Sequence, residues 1–290
     1  MRIVEQRSPE ELQHVPRPIV AWGGHYANGD EIPSHTHRRA QLLYAVEGVM
    51  RVITPNSVWT IPSHRALWVP PNVEHHSFMM TEVEMRTLYV SDDIRLSLGK
   101  ECRAISVSGL LRELILGLLQ EPAEYPMPGR GEHLVALILM EIDRAATQPV
   151  EIPWPQDRRL QTVCQRIMSS PGVTYTIDEL AEMAGASART LIRLFPKETG
   201  LKYHQWVQQV QLAEALCRLS RGESIARIAN FLGYANPSAF SAMFKRNVGV
   251  TPNQYFQRLA RWHTHSSAQD DKHQYWCVRH LSGWPHAADS

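Results

Sequence analysis

Residues 222–256 read GESIARIANFLGYANPSAFSAMFKRNVGVTPNQYF, and almost every position in this run has a local structural reason. Ser224 is placed to cap a short helix over IARIANFL, and Gly233 can adopt the positive φ that ends it. Asn236 is a second N-cap, followed by Pro237 at the first helical position. The helix it opens turns Phe240 and Phe244 to one side and Lys245 and Arg246 to the other. Two short helices about a tight turn, the second basic on its outer face, predict a helix-turn-helix.

The same pattern occurs earlier in the chain. Thr176 and Glu179 form a capping box before a short helix through Met183 and Ala184. Gly185 supplies the break, and Ser187 caps ARTLIRLFPKETG. Within it Leu191, Leu194 and Phe195 make an inner stripe, while Arg189, Thr190, Ile192 and Arg193 stay outside. Between the two units KYHQWVQQVQLAEALCRLSRG reads as one amphipathic helix, with Trp206, Val210, Ala213 and Leu216 or Cys217 on its apolar line. A rigid helix of that length can hold two readers about 34 Å apart, one DNA turn.

The charge distribution agrees. Residues 156–262 hold 14 Lys and Arg against 7 Asp and Glu, whereas residues 1–155 hold 14 against 19, so a net charge of +1 hides a basic module joined to an acidic one. A basic module of this kind meets a polyanion. The apolar fraction of 43% and charged fraction of 20% are those of a globular protein, with no run of about 18 apolar residues to make a membrane span. The opening MRIVEQRSPEELQ carries charge and no apolar core of a signal peptide, which leads to the expectation of a cytoplasmic protein with no membrane partner. Cys102, Cys164, Cys217 and Cys277 are far apart and match neither a disulfide framework nor a zinc motif, so free thiols are expected.

Upstream of the basic module the periodicity is different. From Ile19 to Val90 short β-type runs alternate with turn formers such as Asn28-Gly29 and Pro55-Asn56, the pattern of a sandwich or barrel. Residues 107–120 and 132–146 then repeat apolar positions at three and four, and the Pro/Gly-rich EPAEYPMPGRG between them makes the pair an αα-hairpin. Its first helix is apolar over more of its circumference than one buried face needs, which points to a subunit interface. The expected organisation is multidomain: a β-barrel over 1–100, a helical hairpin over 101–147, a linker over 148–157 with its run of prolines, an all-α tandem helix-turn-helix domain over 158–262, and a disordered tail over 263–290.

Inside the β region stands a second informative stretch, PSHTHRRAQLLYAVEG at 33–48. Two histidines two apart on a strand point to one face. His35 and His37, with His75 further on, could serve a pocket for a small-molecule effector, a sensory metal or the centre of an enzyme; these uses stay open. Trp22, Gln41, Tyr44, Trp59 and Trp68 are the candidates to line such a pocket. His25, His64 and His76 have weaker claims.

Taken together, the helical half resembles the AraC/XylS family of bacterial transcription regulators over about Tyr175 to Arg258. The match is most specific in 222–256, at Ile225, Ala229, Gly233, Tyr234, Phe240, Phe244, Lys245, Gly249, Pro252 and Tyr255. The resemblance implies a sequence-specific regulator that contacts promoter or operator DNA through Ser187, Arg189, Thr190, Ile192 and Arg193 in the first unit and Asn236, Pro237, Ser238, Ser241 and Ala242 in the second, with Lys245 and Arg246 on phosphate. Pro196 departs from the family pattern, and a proline there predicts a recognition helix that kinks or ends early.

The front half resembles a cupin-type sensor. Gly29-x5-His35-x-His37-x3-Gln41-x6-Gly48 has the form of the first cupin motif and Pro70-x-Asn72-x2-His75 that of the second. The resemblance implies His35, His37 and His75 around a divalent first-row metal, with Gln41 where a carboxylate is usual. A barrel joined through an apolar hairpin to a DNA reader leads to the expectation of a homodimer with four helix-turn-helix units on DNA, and the cupin resemblance suggests a regulator, repressor or activator, with repression of a neighbouring transporter gene as the specific expectation; the alternative is a metal-dependent, dioxygenase-like enzyme.

Overall fold

The computed structural model describes residues 7–63, 65–147 and 151–263, the last six by backbone alone. His64, Cys277 and the tail beyond His263 lie outside the described residues.

After a one-turn helix α1 (Pro9–Leu12), the strands β1 (Ile19–Tyr26), β2 (Glu31–His35), β3 (Ala40–Glu47), β4 (Val49–Thr54), β5 (Ser57–Pro62), β6 (Arg65–Val69), β7 (His75–Met79), β8 (Val83–Val90) and β9 (Arg103–Ser106) follow. The hairpin α2 (Gly109–Leu118) and α3 (Arg130–Arg144) leads to β10 (Glu151–Pro153). These strands form two antiparallel five-stranded sheets, ordered β1-β8-β3-β6-β9 and β10-β5-β4-β7-β2.

The alternation of side chains divides the first sheet into two buried faces. Leu43, Ala45, Leu67, Val69 and Met85 point into the space between the sheets and pack with Met50, Val52, Trp59 and Ile61 of the second. Leu42, Tyr44, Val46, Ala66, Trp68 and Leu88 point the other way and are covered by Leu111, Leu114, Ile115, Val135 and Ile138 of the hairpin. β3 is therefore buried at seven of its eight positions, as a strand sandwiched on both faces must be.

The helical half comprises α4 (Arg158–Ser169), α5 (Ile177–Met183), α6 (Ala188–Thr199), α7 (Tyr203–Ser220), α8 (Ile225–Phe231), α9 (Pro237–Val248) and α10 (Pro252–His263). Trp206, Val210 and Ala213 of α7 close the core of the first unit with Leu180, Leu191 and Phe195. Leu212, Ala215, Leu216 and Leu219, on its other side, pack with Ile228, Phe240 and Phe244 of the second. One helix thus serves two cores.

Three expectations need correction. The stretch expected to be a linker is partly a strand: β10 pairs with β5 in the register Glu151↔Trp59, Ile152↔Val58, Pro153↔Ser57, an edge position where a proline is tolerated. Residues 148–150 lie outside the described residues. The barrel also draws on β9 and β10, so it does not stop at residue 100. Finally, α6 runs unbroken through Pro196 to Thr199 and ends at Gly200 with φ 70°. Pro196 falls in the last turn, where a missing amide costs only one bond. Its carbonyl receives the Gly200 amide at 3.1 Å, and Thr199 Oγ1 donates to Phe195 O at 2.7 Å.

Candidate functional site

Both helix-turn-helix units are built by the same local bonds. At the first, the Thr176 hydroxyl accepts from the Glu179 amide and the Glu179 carboxylate accepts from the Thr176 amide, completing a capping box. The Ala186 amide donates to Ala181 O at 2.9 Å across Gly185, which has φ 60°. At the second, the Tyr234 amide donates to Ala229 O at 2.9 Å across Gly233, with φ 75°. This six-to-one bond with a left-handed residue at the helix end is the Schellman closure. Asn236 Oδ1 then accepts from the Ala239 amide at 2.8 Å, opening α9.

The two second helices turn their polar faces outward. On α6, Arg189, Ile192 and Arg193 are exposed, Ile192 at 58%, while Leu191, Leu194 and Phe195 are buried. An aliphatic side chain left that bare beside two arginines has the form of a contact for a thymine methyl. The hydroxyls of Ser187 and Thr190 lie 2.9 Å apart, and Ser187 also caps the helix, so both are held at its N-terminus. On α9, Asn236, Pro237, Ser238, Ala242, Lys245 and Arg246 are exposed and Ser241 is half-buried. Helix N-termini with free polar groups and a basic flank suit phosphate and base edges.

In the barrel, His35 of β2 and His75 of β7 pair directly across the second sheet, and His37 joins them from the segment between β2 and β3. The ring centroids of His35, His37 and His75 are 4.4–5.9 Å apart, and one nitrogen from each falls within 4.8 Å of the others. Asn72 ties the two motifs by donating its amide to His37 O at 2.9 Å, from a left-handed backbone with φ 61°. Each Nδ1 faces a backbone carbonyl: His35 that of Pro33 at 2.8 Å, His37 that of Arg39 at 2.5 Å, and His75 that of Val73 at 3.0 Å. A carbonyl only accepts, so each Nδ1 carries the proton and each Nε2 keeps a lone pair.

Gln41 Oε1 sits 2.8 Å from His37 Nε2 and 3.0 Å from His75 Nε2. Acceptors converge there on an acceptor. A cation held by the three Nε2 atoms and the amide oxygen resolves that conflict. The other resolution is to exchange the amide's oxygen and nitrogen, which fill the same space, so that the NH2 donates to both rings and the Tyr89 hydroxyl at 3.4 Å donates to the oxygen. Burial lowers the pKa of His75 to about 4 and that of His37 in the same direction, so both rings are neutral near pH 7 and able to ligate.

The candidate pocket residues separate by face. Gln41 and Trp59 point between the sheets, and half-buried Trp22 packs against the same cluster. Tyr44 and Trp68 do not join them: both lie on the opposite face of the first sheet, packed against the hairpin, and the Trp68 indole donates to Gly99 O at 3.4 Å. Positions 41 and 44 differ by an odd number, which on one strand assigns them to opposite faces. Two residues the sequence reading missed belong to the site. Tyr89, directly opposite Gln41 across β3 and β8, lies edge-on to His37 at 5.5 Å. Arg39 anchors the segment behind His37, its guanidinium donating to the carbonyls of Gln13, Val15, Arg17 and Tyr89.

Comparison with known proteins places this geometry. A family model for a helix-turn-helix domain matches residues 180–258. The HTH-type transcriptional regulator NimR of Escherichia coli K12 is 30% identical over 249 residues, 85% of this chain and 91% of that protein. The HTH-type transcriptional regulator RipA of Corynebacterium glutamicum is 27% identical over 222 residues, covering 74% of this chain and 61% of its own. The crystal structure of ToxT from Vibrio cholerae aligns over 83% of this chain and 98% of its own, at 14% identity and a TM-score of 0.36, a likeness too low to carry weight. No described helix is long and apolar enough to cross a membrane. With two helix-turn-helix units of matching construction and a relative that aligns along most of both chains, this protein belongs to the AraC family of DNA-binding transcription regulators and is not an enzyme.

Proposed function

We propose that this regulator acts in the cytoplasm as a homodimer whose barrel senses a divalent first-row metal, or a small molecule bound beside it, and passes that state to the DNA-binding half. The observation that carries the reading is the meeting of the His37 and His75 Nε2 lone pairs with the Gln41 amide oxygen at 2.8 and 3.0 Å, with a His35 nitrogen within 4.8 Å of theirs. His35, His37, His75 and Gln41 would hold the ion. Nitrogen ligands with one neutral oxygen suit a first-row divalent metal better than magnesium or calcium. Bound there, such an ion supplies a Lewis-acidic anchor for an oxygen- or nitrogen-bearing effector. Trp22 and Trp59 then offer apolar walls for its body.

The hairpin favours a dimer. On α3 Leu137 and Met140, three residues apart, are 44% and 58% exposed, and Leu110 of α2 is 53% exposed. Apolar side chains on one helical face at this exposure mark an association surface. A dimer would bring four helix-turn-helix units to one operator, and the reading extends to repression of a neighbouring transporter gene.

Metal analysis of purified protein after exhaustive dialysis tests the site. The parent should retain close to one first-row metal per chain, and His75→Ala should retain little while keeping its far-UV circular dichroism. Equal metal content in both proteins would remove the histidines from the account.

A further inference from the structure

Ser170-Pro171-Gly172-Val173-Thr174-Tyr175 joins α4 to α5 in the first helix-turn-helix unit. Pro171-Gly172 is a turn dipeptide, and the Val173 amide closes the turn on Ser170 O at 3.0 Å. The far end of the segment is fixed within its own unit. The Tyr203 hydroxyl of α7 donates to Tyr175 O at 3.1 Å, and the Arg166 guanidinium of α4 lies 5.3 Å from the centre of the Tyr175 ring.

The middle of the segment meets the second unit. A Cβ on Gly172 would overlap the carbonyl oxygen of Phe231, the last residue of α8, and stand 3.1 Å from its carbonyl carbon. Backbone cannot swing aside as a side chain can, so only glycine lets the two chains lie this close. At the break between α8 and α9, a Cβ on Gly233 would stand 3.4 Å from Gly172 O and 3.8 Å from Thr174 Oγ1. The segment therefore touches the turn that aims α9. α7 holds the same turn: Gln211 Nε2 donates to Leu232 O at 3.2 Å, and its Oε1 accepts from the Tyr234 hydroxyl at 2.9 Å. Arg218, paired with Glu214 and Glu223, places its guanidinium 3.3 Å from the centre of the Phe231 ring.

We propose that residues 171–174 brace the second helix-turn-helix against the first, with Gly172 as the positioning residue, so that α6 and α9 meet DNA as one rigid reader of fixed spacing. The proposal rests on the reading that α6 and α9 contact the operator. A helix that carries one unit on each side, as α7 does, can bend along its length. A second contact away from α7 removes that freedom. One base pair added between two DNA segments moves one of them by about 3.4 Å along the axis and about a tenth of a turn around it. A braced pair of helices cannot follow such a change, whereas a loosened pair can.

Binding of the full chain to duplexes it selects from random-sequence DNA tests the brace. The protections weakened by Arg193→Ala and by Lys245→Ala mark the two segments read by one chain, and one base pair is then added or removed between them. The parent should lose roughly tenfold or more in affinity on either change. Gly172→Val should bind the unaltered duplex less tightly and lose no more than about threefold further on either change. Should that variant fail to fold, Gly172→Ala, whose single methyl still meets Phe231 O, should show the same relaxation. Ile167→Ala, which weakens the first core away from the segment, should keep the parent's dependence on spacing. A parent indifferent to spacing, Gly172 variants as strict as the parent, or equal relaxation in Ile167→Ala would overturn the proposal. Protections unmoved by both Arg193→Ala and Lys245→Ala would overturn the reading of α6 and α9 itself, and the brace with it.

Discussion

His75 shows how a single residue's environment sets its chemistry. It is 1% exposed, its Nδ1 is held by Val73 O, and burial drives its pKa down to about 4. In the unfolded chain the same ring titrates near 6.5. The unfolded state therefore binds protons first as pH falls, and the folded state loses stability from about pH 6.5 down to about 4. The shift corresponds to about 3 kcal/mol if fully realised. Chelator-treated protein should thus show a denaturant midpoint that declines steadily over this window, and His75→Leu should flatten the decline. A midpoint independent of pH there would show that the ring is hydrated in solution.

At the scale of elements, α6 and α9 are the helices proposed to read the operator. Arg193 and Arg189 on α6 are exposed and able to make paired bonds to guanine. Arg193→Ala should weaken binding to the operator by about 1–3 kcal/mol and leave binding to unrelated DNA nearly unchanged. Lys245→Ala should weaken both and reduce the salt dependence by about one counterion. Mobility-shift titrations on specific and scrambled duplexes at two salt concentrations separate these effects.

Much at this scale was legible in the sequence because it is local. The caps at Thr176, Ser187, Ser224 and Asn236 and the turns at Gly185 and Gly233 each depend on residues within four positions. The errors came where a distant neighbour decides. Tyr44 and Trp68 were assigned to the pocket because β3 and β6 are buried on both faces, so polarity does not reveal which face meets the hairpin. Pro196 suggested a break because its residue type was weighed without its place in the last turn. The prolines of 148–157 suggested a free tether, yet β5 offers an edge to pair with, which is invisible until the sheet is assembled.

Across the whole molecule, the segment joining the halves is bonded to both. The Trp154 amide donates to Asn56 O at 2.8 Å on the barrel side. The amides of Gln156 and Asp157 donate to the carboxylate of Glu198, in the last turn of recognition helix α6, at 3.1 and 3.2 Å. The Trp206 indole of α7 donates to Pro153 O at 2.8 Å. A change in the barrel that moves β5 or β10 therefore has a bonded route to the first reader, a physical basis for coupling the sites. Oligomeric state belongs to the same scale: the proposed dimer predicts that Met140→Glu moves the protein from dimer to monomer in sedimentation at micromolar concentration, and a parent that sediments as a monomer would contradict it.

The central claim is that a ligand-responsive barrel governs two DNA readers. The most direct measurement is a footprint of purified protein on the DNA upstream of its own gene, metal-replete and after chelation. The account predicts protection of two adjacent major-groove segments per chain that shifts or weakens when metal is removed. Protection identical under both conditions would contradict metal sensing by His35, His37 and His75, and absence of protection under either would contradict regulation at that promoter.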